Sequence, residues 1–95
     1  MVPDVSKISG IGEYNVKKES DRSIYFKNSA AFLIINRNTI EVRCDAGLSD
    51  KLRQEYESVM ESRYFGRGGI EIVLAGQLKT DEIEDLVRLS YNLTV

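Results

Sequence analysis

The sequence contains no histidine and only one cysteine, Cys44. Without histidine, the Ser-His and Cys-His pairs of nucleophilic enzymes and all imidazole metal sites are excluded. A single cysteine can form neither an intrachain disulfide nor a zinc site built from several cysteines. Nucleophile-elbow and phosphate-loop motifs are also missing. We therefore expect a protein that is not an enzyme and needs no cofactor, with carboxylates as the groups left for acid–base or metal chemistry.

Long apolar stretches are missing as well. The longest apolar run extends from Ala30 to Ile35, which is far too short to cross a bilayer. The first residues, Met-Val-Pro-Asp-Val-Ser-Lys, lack the apolar segment of a signal peptide. A chain with one cysteine fits a reducing compartment. These features predict a cytoplasmic protein that does not associate with membranes.

Length and charge set further bounds. With 95 residues, 42% of them hydrophobic, the chain can close one packed core, so we predict a single domain over residues 1–95. The formal net charge of −2 gives no overall attraction to phosphate. Residues 1–43 contain seven Lys/Arg and five Asp/Glu, whereas residues 44–95 contain six and ten. The N-terminal half is therefore the more basic one, although only mildly.

Four short strands are predicted in the first half of the chain. Tyr14 and Val16 alternate with polar neighbours, which is typical of a half-buried strand. The segments 28–29 and 36–38 are rich in Asn, which favours tight turns. Residues 1–12 show no sustained period and are predicted to form an irregular arm. The four strands are expected at residues 13–17, 23–27, 31–35 and 39–43.

The second half of the chain has the spacing of helices. An apolar stripe predicts a first helix over residues 45–61, whose start Asp45 or Ser49 can cap. An alternating segment predicts a fifth strand at residues 70–74. A second stripe predicts a last helix over residues 80–91, with acidic residues in its first turns that complement the helix dipole. The first stripe consists of Leu48, Leu52, Tyr56 and Val59, and the second of Ile83, Leu86, Val87 and Tyr91.

The element order β-β-β-β-α-β-α predicts an α+β fold. Two helices with apolar stripes must bury them, and one face of the sheet is the only apolar surface large enough. We therefore predict a two-layer sandwich in which a mostly antiparallel five-stranded sheet carries two helices on one face. The other face should meet water or a partner. By alternation it would carry Asn15, Lys17, Tyr25, Lys27, Glu41 and Arg43.

One stretch of the sequence points to a family. It begins with Cys44-Asp45 and continues as Leu48-x3-Leu52-Arg53-x2-Tyr56, and the chain closes with Ser90-Tyr91-x-Leu93. Over about residues 23–95, this pattern resembles the MmcQ/YjbR family of small bacterial proteins. The resemblance implies a CyaY-like fold, in which helices cover one face of an antiparallel sheet. It also implies DNA binding without catalysis, because members of that family are often described as DNA-binding.

The best candidate for a binding site is the segment 63–69, Arg-Tyr-Phe-Gly-Arg-Gly-Gly. Arg63 and Arg67 could grip phosphate with their forked guanidinium groups, and glycines allow close approach of the backbone. Lys27 and Arg43 are cations of the predicted sheet that could join them. These four residues are the predicted nucleic-acid contacts, and DNA is the expected partner. The same segment can also be read as a helix-to-strand connection in which glycines only permit the turn.

Two other functions stay open. The polar sheet face, or an apolar groove between sheet and loop, could bind another protein. A third reading is a metal-binding ridge at the start of the last helix. Acidic residues at a helix start more often satisfy the helix dipole and the free backbone N–H groups. The ridge would consist of Asp81, Glu82, Glu84 and Asp85.

Overall fold

The computed structural model describes residues 2–95, so Met1, the first residue of the predicted arm, lies outside it. Within that range the chain forms one sheet of six antiparallel strands, in the order β1-β2-β3-β4-β6-β5, and two α-helices. The strands are β1 (Asn15–Lys18), β2 (Ser23–Lys27), β3 (Ala30–Ile35), β4 (Thr39–Arg43), β5 (Val59–Ser62) and β6 (Gly66–Val73). The helices are α1 (Ala46–Glu55) and α2 (Thr80–Leu93).

Short turns connect the first four strands as a meander. Asn28 and Ser29 both have positive φ, 51° and 74°, which the tight turn between β2 and β3 requires. The turn between β3 and β4 is closed by the Asn36 N–H group, which donates to the Thr39 carbonyl over 2.8 Å. The predicted meander of four strands is therefore confirmed, with shifts of one or two residues at strand ends.

A large core lies between the sheet and both helices. Phe32, Ile40 and Ile72 of the sheet are fully buried there, together with Val87 of α2. The partly buried Leu48, Leu52 and Tyr56 of α1 pack against the same core. We call this side of the sheet the helix-covered face and the opposite side the helix-free face. The predicted two-layer α+β arrangement is confirmed.

The first helix is shorter than predicted, and the sheet has six strands where the sequence predicted five. Instead of extending over residues 45–61, α1 ends at Glu55, and the chain then forms β5. Val59, the last member of the predicted stripe, pairs with Ile72 as a strand residue. Its helical spacing was a coincidence, because a single apolar residue fits either period. The start of α1 agrees with the prediction, since the Asp45 carboxylate accepts a hydrogen bond from the Leu48 N–H group.

The faces of β2 are reversed relative to the prediction. Tyr25 packs into the core on the helix-covered face, whereas Ile24 and Phe26 belong to a small second cluster on the helix-free face. Alternation along β2 itself is intact, and the register shift between Tyr25 and Phe26 instead leaves Phe32 of β3 without a partner in β2, so that Phe32 and Leu33 both pack into the core on the helix-covered face. Phe65 covers the second cluster, which makes an apolar side chain stable on the helix-free face.

Helix α2 is tied to the sheet at this irregularity. The Ser90 hydroxyl donates to the Phe32 carbonyl over 2.6 Å and accepts from the Arg43 N–H group over 2.8 Å. Ser90 thereby satisfies two backbone groups next to the last β3–β4 pair, Leu33 with Val42. Tyr91 follows, and its ring meets Phe32 edge-on at 5.0 Å. The closing Ser-Tyr motif is thus part of the packing of α2.

The N-terminal arm contacts the core. The predicted irregular arm contains one 3-10 turn, Val5–Lys7, from which Val5 and the following Ile8 are buried. Helix α2 is preceded by Lys79, whose N–H group donates to the Glu82 side chain over 2.9 Å. Neither α1 nor α2 combines the length and the apolar character that a membrane-spanning helix needs.

Candidate functional site

An open cleft of about 1030 Å3 lies on the helix-free face. It is bounded by the β1–β2 turn, the β3–β4 turn and the β5–β6 turn, the last of which folds back over the sheet. We call it the arginine cleft because three arginines line it. The lining residues are Glu19, Ser20, Asp21, Arg22, Asn36, Arg37, Glu41, Arg63 and Tyr64.

Arg63 is held at the cleft by a buried carboxylate. Its Nε and Nη2 groups donate to the two oxygens of Glu71 over 2.9 and 2.7 Å. The Glu71 side chain is 6% exposed, whereas that of Arg63 is 76% exposed. Burial raises the pKa of Glu71, but the hydrogen bonds from Arg63 and Thr39 outweigh burial and bring that pKa below its ordinary value. Glu71 is therefore a charged anchor for an exposed guanidinium group.

A second buried carboxylate, Glu41, fixes the turn that carries Arg63. Glu41 is 1% exposed and lies opposite Glu71 on the neighbouring strand. Its Oε1 atom accepts from the Ser62 hydroxyl and from the Tyr64 N–H group, each over 2.8 Å. Its Oε2 atom accepts from the Asn36 side chain over 2.9 Å. The two neighbours of Arg63 along the chain, Ser62 and Tyr64, are thus hydrogen-bonded to the sheet through Glu41.

The other two arginines differ in their partners. Arg22 forms an ion pair with Glu19 at 2.7 Å, and its guanidinium group lies 5.6 Å from the centre of the Tyr64 ring. Within residues 2–95, the Arg37 side chain has no hydrogen bond or ion pair and is exposed. Tyr64 remains 43% exposed between them. The cleft therefore offers three cationic groups and one aromatic ring to a ligand.

The two buried carboxylates at the cleft are used for hydrogen bonds within the protein. A general acid or base needs a carboxylate oxygen that can reach substrate, but both oxygens of Glu41 and of Glu71 already accept hydrogen bonds from the protein. The Cys44 thiol is buried, and burial raises its pKa to about 11, so that it carries little thiolate at neutral pH. Among the described residues, no group of three His, Cys, Asp or Glu side chains is placed to hold a metal ion.

The four predicted contact residues are distributed over both faces. Lys27 lies on the helix-covered face, where its Nζ donates to the Tyr91 carbonyl over 3.0 Å and lies 4.4 Å from the centre of the Tyr91 ring. Arg43 lies on the helix-free face and donates to the Ala31 carbonyl over 2.7 Å. Of the four, only Arg63 lines the cleft.

The remaining features of the predicted site differ from the expected loop. Arg67 is exposed and forms part of β6 rather than a flexible loop, since β6 begins at Gly66. Phe65 lies under Arg43, whose guanidinium carbon is 4.9 Å from the ring centre. A side chain at Gly69 would place its Cβ 2.5 Å from the Val42 carbonyl oxygen, so this glycine serves close strand packing.

Two of the four acidic residues at the start of α2, Glu82 and Asp85, have partners in or next to the helix. Glu82 accepts from the backbone N–H group of Lys79 over 2.9 Å. Asp85 forms an ion pair with Arg88 at 2.6 Å. Arg88 also donates to the Ser9 carbonyl over 2.6 Å and so fastens the N-terminal arm to α2. These contacts fit the ordinary role of acidic residues at a helix start.

Sequence reasoning did not single out Arg22 and Arg37, or the buried carboxylates Glu41 and Glu71, as site residues. Arg22 and Arg37 lie in turns that are far apart in the sequence, and only the fold brings those turns to one end of the sheet. Glu41 and Glu71 each stand between β-branched residues, in Ile-Glu-Val and Ile-Glu-Ile. A carboxylate at the centre of a strand with apolar neighbours was the available sign of a buried polar network, because such groups are buried only when they have partners.

The comparisons with known proteins identify the fold alone. No protein-family model matches the chain, and no curated protein matches it. A crystal structure of a protein from Pseudomonas syringae has a similar fold, with a TM-score of 0.73. The two chains are 18% identical, and the similarity covers 86% of this chain and 87% of the other. At this identity the likeness supports the α+β architecture and carries no function.

Proposed function

We propose that this protein is a non-catalytic, cytoplasmic binding module of the MmcQ/YjbR type, with a CyaY-like fold, and that it binds nucleic acid weakly through the arginine cleft. One observation carries the proposal. Arg63 is an exposed guanidinium group held rigidly by Glu71, in an open cleft that it shares with Arg22 and Arg37. The anionic groups of nucleic acids are phosphodiesters, and the forked N–H donors of a guanidinium group bind them well.

The attraction must be local, since the whole chain has a net charge of −2. Glu19 and Asp21 also line the cleft, and they offset part of its positive charge. A ligand that makes only two or three phosphate contacts binds weakly and loses affinity as salt is added. We therefore expect binding that is detectable at low ionic strength and that shows a shallow salt dependence.

Tyr64 favours single strands over duplexes. An exposed aromatic ring can stack on an unpaired base, whereas the bases of a duplex are already stacked on each other. Tyr64 is 43% exposed and lies beside Arg22, which can also contact a base. We expect oligo(dT) to bind more tightly than a duplex of equal length.

Fluorescence anisotropy with labelled oligo(dT) and a labelled duplex tests this function, with salt raised from about 20 to about 200 mM. We expect Arg63→Ala and Arg37→Ala each to weaken binding by at least about threefold and to reduce the salt dependence. Arg67→Ala and Arg43→Ala test the cations that the sequence predicted outside the cleft. Arg53→Ala is the matched control, because Arg53 lies on α1, away from the cleft, and its ion-pair partner among the described residues is Asp50.

Two results would contradict the proposal. One is that the wild-type protein binds neither oligo(dT) nor the duplex at the lowest salt concentration. The other is binding that Arg63→Ala and Arg37→Ala leave at the level of Arg53→Ala. Loss of binding with Arg67→Ala alone would move the site out of the cleft and to the β5–β6 hairpin.

A protein partner is the second candidate. The cleft lining contains three arginines and three acidic residues, which suits a partner surface of mixed charge better than a pure polyanion. Met60 is 43% exposed and lies opposite Glu71 on the edge strand, so that it adds apolar area near the cleft. If oligonucleotides fail to bind, affinity capture with Arg63→Ala as the comparison is the next measurement.

A further inference from the structure

We propose that Glu71 is a positioning residue of the anion site, and that it strengthens the binding of an anion although it carries a negative charge itself. This inference rests on the proposed function of the arginine cleft. It assigns to Glu71 the task of fixing the Arg63 guanidinium group in one orientation, with a free edge that faces the ligand. The ligand class is a phosphodiester or a similar anion that can present two oxygens to one edge of a guanidinium group.

The geometry of the pair leaves one edge of Arg63 open. A guanidinium group is planar and rigid, and it carries five N–H donors in a fixed fork. Glu71 takes the edge formed by Nε and Nη2, at 2.9 and 2.7 Å. The edge formed by Nη1 and the outer hydrogen of Nη2 has no protein partner within residues 2–95. Because the Arg63 side chain is 76% exposed, an anion can reach that edge.

Hydrogen bonds also hold Glu71 itself in place, so that it can keep Arg63 in one orientation. Its Oε2 atom accepts from the Thr39 hydroxyl over 2.7 Å, and that hydroxyl accepts from the Asn36 side chain over 3.0 Å. Glu71 and Thr39 belong to β6 and β4, which pair directly. Side chains held by such connected hydrogen bonds on strands lose little further freedom when a ligand binds.

The backbone of Arg63 is fixed from the other side. Glu41 accepts from the N–H group of Tyr64, the next residue along the chain, over 2.8 Å. Ser62, the preceding residue, donates to the same oxygen of Glu41 over 2.8 Å. Arg63 is therefore restrained at both of its neighbours and at its own side chain. A free arginine at an exposed turn would lose rotamer entropy on adopting one orientation, which weakens binding.

The negative charge of Glu71 and its role in positioning Arg63 predict opposite effects of the substitution Glu71→Gln on anion binding. Glu71→Gln removes a negative charge next to the cleft. If only the summed charge matters, the substitution tightens the binding of an anion. If Glu71 positions Arg63, the substitution weakens binding, because the neutral amide holds a guanidinium group far less firmly than a carboxylate does.

The experiment compares Glu71→Gln with Glu61→Gln, using labelled oligo(dT) in the anisotropy titration. Glu61 is exposed on the edge strand β5 and makes no side-chain hydrogen bond or ion pair within residues 2–95, so Glu61→Gln removes the same charge without touching Arg63. We expect Glu61→Gln to leave binding unchanged or to tighten it by at most about twofold. We expect Glu71→Gln to weaken binding by about three- to tenfold. The slope of log K against log salt concentration should fall by the amount that corresponds to about one phosphate contact.

Thr39→Val is a second variant that changes no charge at all. It removes the hydroxyl that holds Glu71 and keeps a β-branched residue in β4, so the strand should form as before. The positioning role predicts weaker binding for Thr39→Val, whereas summed charge predicts no change. This variant decides the question if Glu71→Gln proves to be unfolded by circular dichroism.

The possible outcomes separate the two proposals. If the wild-type protein binds no oligonucleotide, the proposed function fails, and the positioning role fails with it. If the wild type binds and Glu71→Gln or Thr39→Val matches Glu61→Gln in affinity and salt dependence, the positioning role is overturned and the proposed function stands. Weaker binding by both folded variants, with Glu61→Gln unaffected, supports the positioning role.

Discussion

The two faces of the sheet are buried by different kinds of chemistry. On the helix-covered face, apolar side chains such as Phe32 and Ile72 meet the apolar stripes of two helices. On the helix-free face, Glu41 and Glu71 are almost equally buried, but they lie under a turn that they bind by hydrogen bonds. This turn covers the helix-free face with two kinds of contact, namely hydrogen bonds to a buried carboxylate and the packing of Phe65 on a small apolar cluster.

The two faces should therefore respond differently to substitution. Hydrophobic contact is non-directional, so the loss of one apolar group removes its own contribution and leaves a cavity. A polar network fails in another way, since removal of one member leaves its partners buried without hydrogen bonds. Among residues 2–95, each buried side-chain nitrogen or oxygen has a partner, so a deletion that removes the sole partner of such an atom creates an unsatisfied group.

The largest expected effect is on the helix-covered face. Phe32 is fully buried, and its ring contacts those of Tyr14, Tyr25 and Tyr91. Phe32→Ala should lower the free energy of unfolding by about 3–5 kcal/mol. Urea titration followed by circular dichroism measures this. Phe65→Ala on the helix-free face is the comparison, and an equal loss there would contradict the difference between the faces, because Phe65 is only half-buried.

The next effect concerns the hydrogen-bonded face. Glu41→Ala leaves the Ser62 hydroxyl and the Tyr64 amide without their acceptor and removes one of the two acceptors of Asn36, and it should lower the free energy of unfolding by about 2–4 kcal/mol. Its distinctive result is local: hydrogen exchange of the Tyr64 amide should become fast even under conditions where the core stays protected. A Tyr64 amide that remains as protected as in the wild type would show that the turn does not depend on Glu41.

A smaller effect is expected where α2 joins the bulged part of the sheet. Ser90→Ala removes the hydroxyl that serves the Phe32 carbonyl and the Arg43 N–H group, and it should cost about 1–3 kcal/mol. Thermal unfolding measures the loss. Ser20→Ala, at an exposed turn, is the control and should be close to neutral. Equal unfolding temperatures for the two variants would show that the Ser90 hydroxyl does not help to hold α2 on the sheet.

The smallest effect appears in acid. Burial raises the pKa of Glu71, but its hydrogen bonds with Arg63 and Thr39 outweigh burial and lower the pKa, so the unfolded chain binds a proton more readily at this carboxyl than the folded protein does. Glu71 therefore contributes stability above its unfolded pKa of about 4.3 and loses that contribution as pH falls through the folded pKa. Below pH 5, wild-type stability should fall more steeply than that of Glu71→Gln, by at most about 1.4 kcal/mol per pH unit. Parallel curves from urea titrations would contradict this assignment.

Much of the fold could be predicted from local pattern. The alternation in residues 39–43 and the stripe that contains Ile83 and Val87 correspond to β4 and α2. These segments were predictable because several consecutive residues agree on one period. Strand β5 was not predictable in this way, since its four residues offer only Val59 and Met60 as apolar positions, and its pairing with β6 lies in tertiary contact.

The candidate site was predictable only in part. Arg63 was named from the sequence, because an arginine among glycines and aromatic residues suggests an anion contact. Its partner Glu71 lies eight residues along the chain and was read as an ordinary strand residue. The other cations of the cleft, Arg22 and Arg37, come from turns that are separated from Arg63 by the whole of β4 and α1.

Local sequence specifies the element types wherever period and capping agree, because those depend on neighbours within a few residues. Composition also excludes, within these 95 residues, histidine side chains and an intrachain disulfide. The position of Glu41 opposite Glu71, and the β5–β6 turn that folds over both, arise in the tertiary structure. Alternation indicates the face of Glu41, but the register that brings it opposite Glu71 is set by pairing between segments far apart in the sequence, which local pattern does not encode.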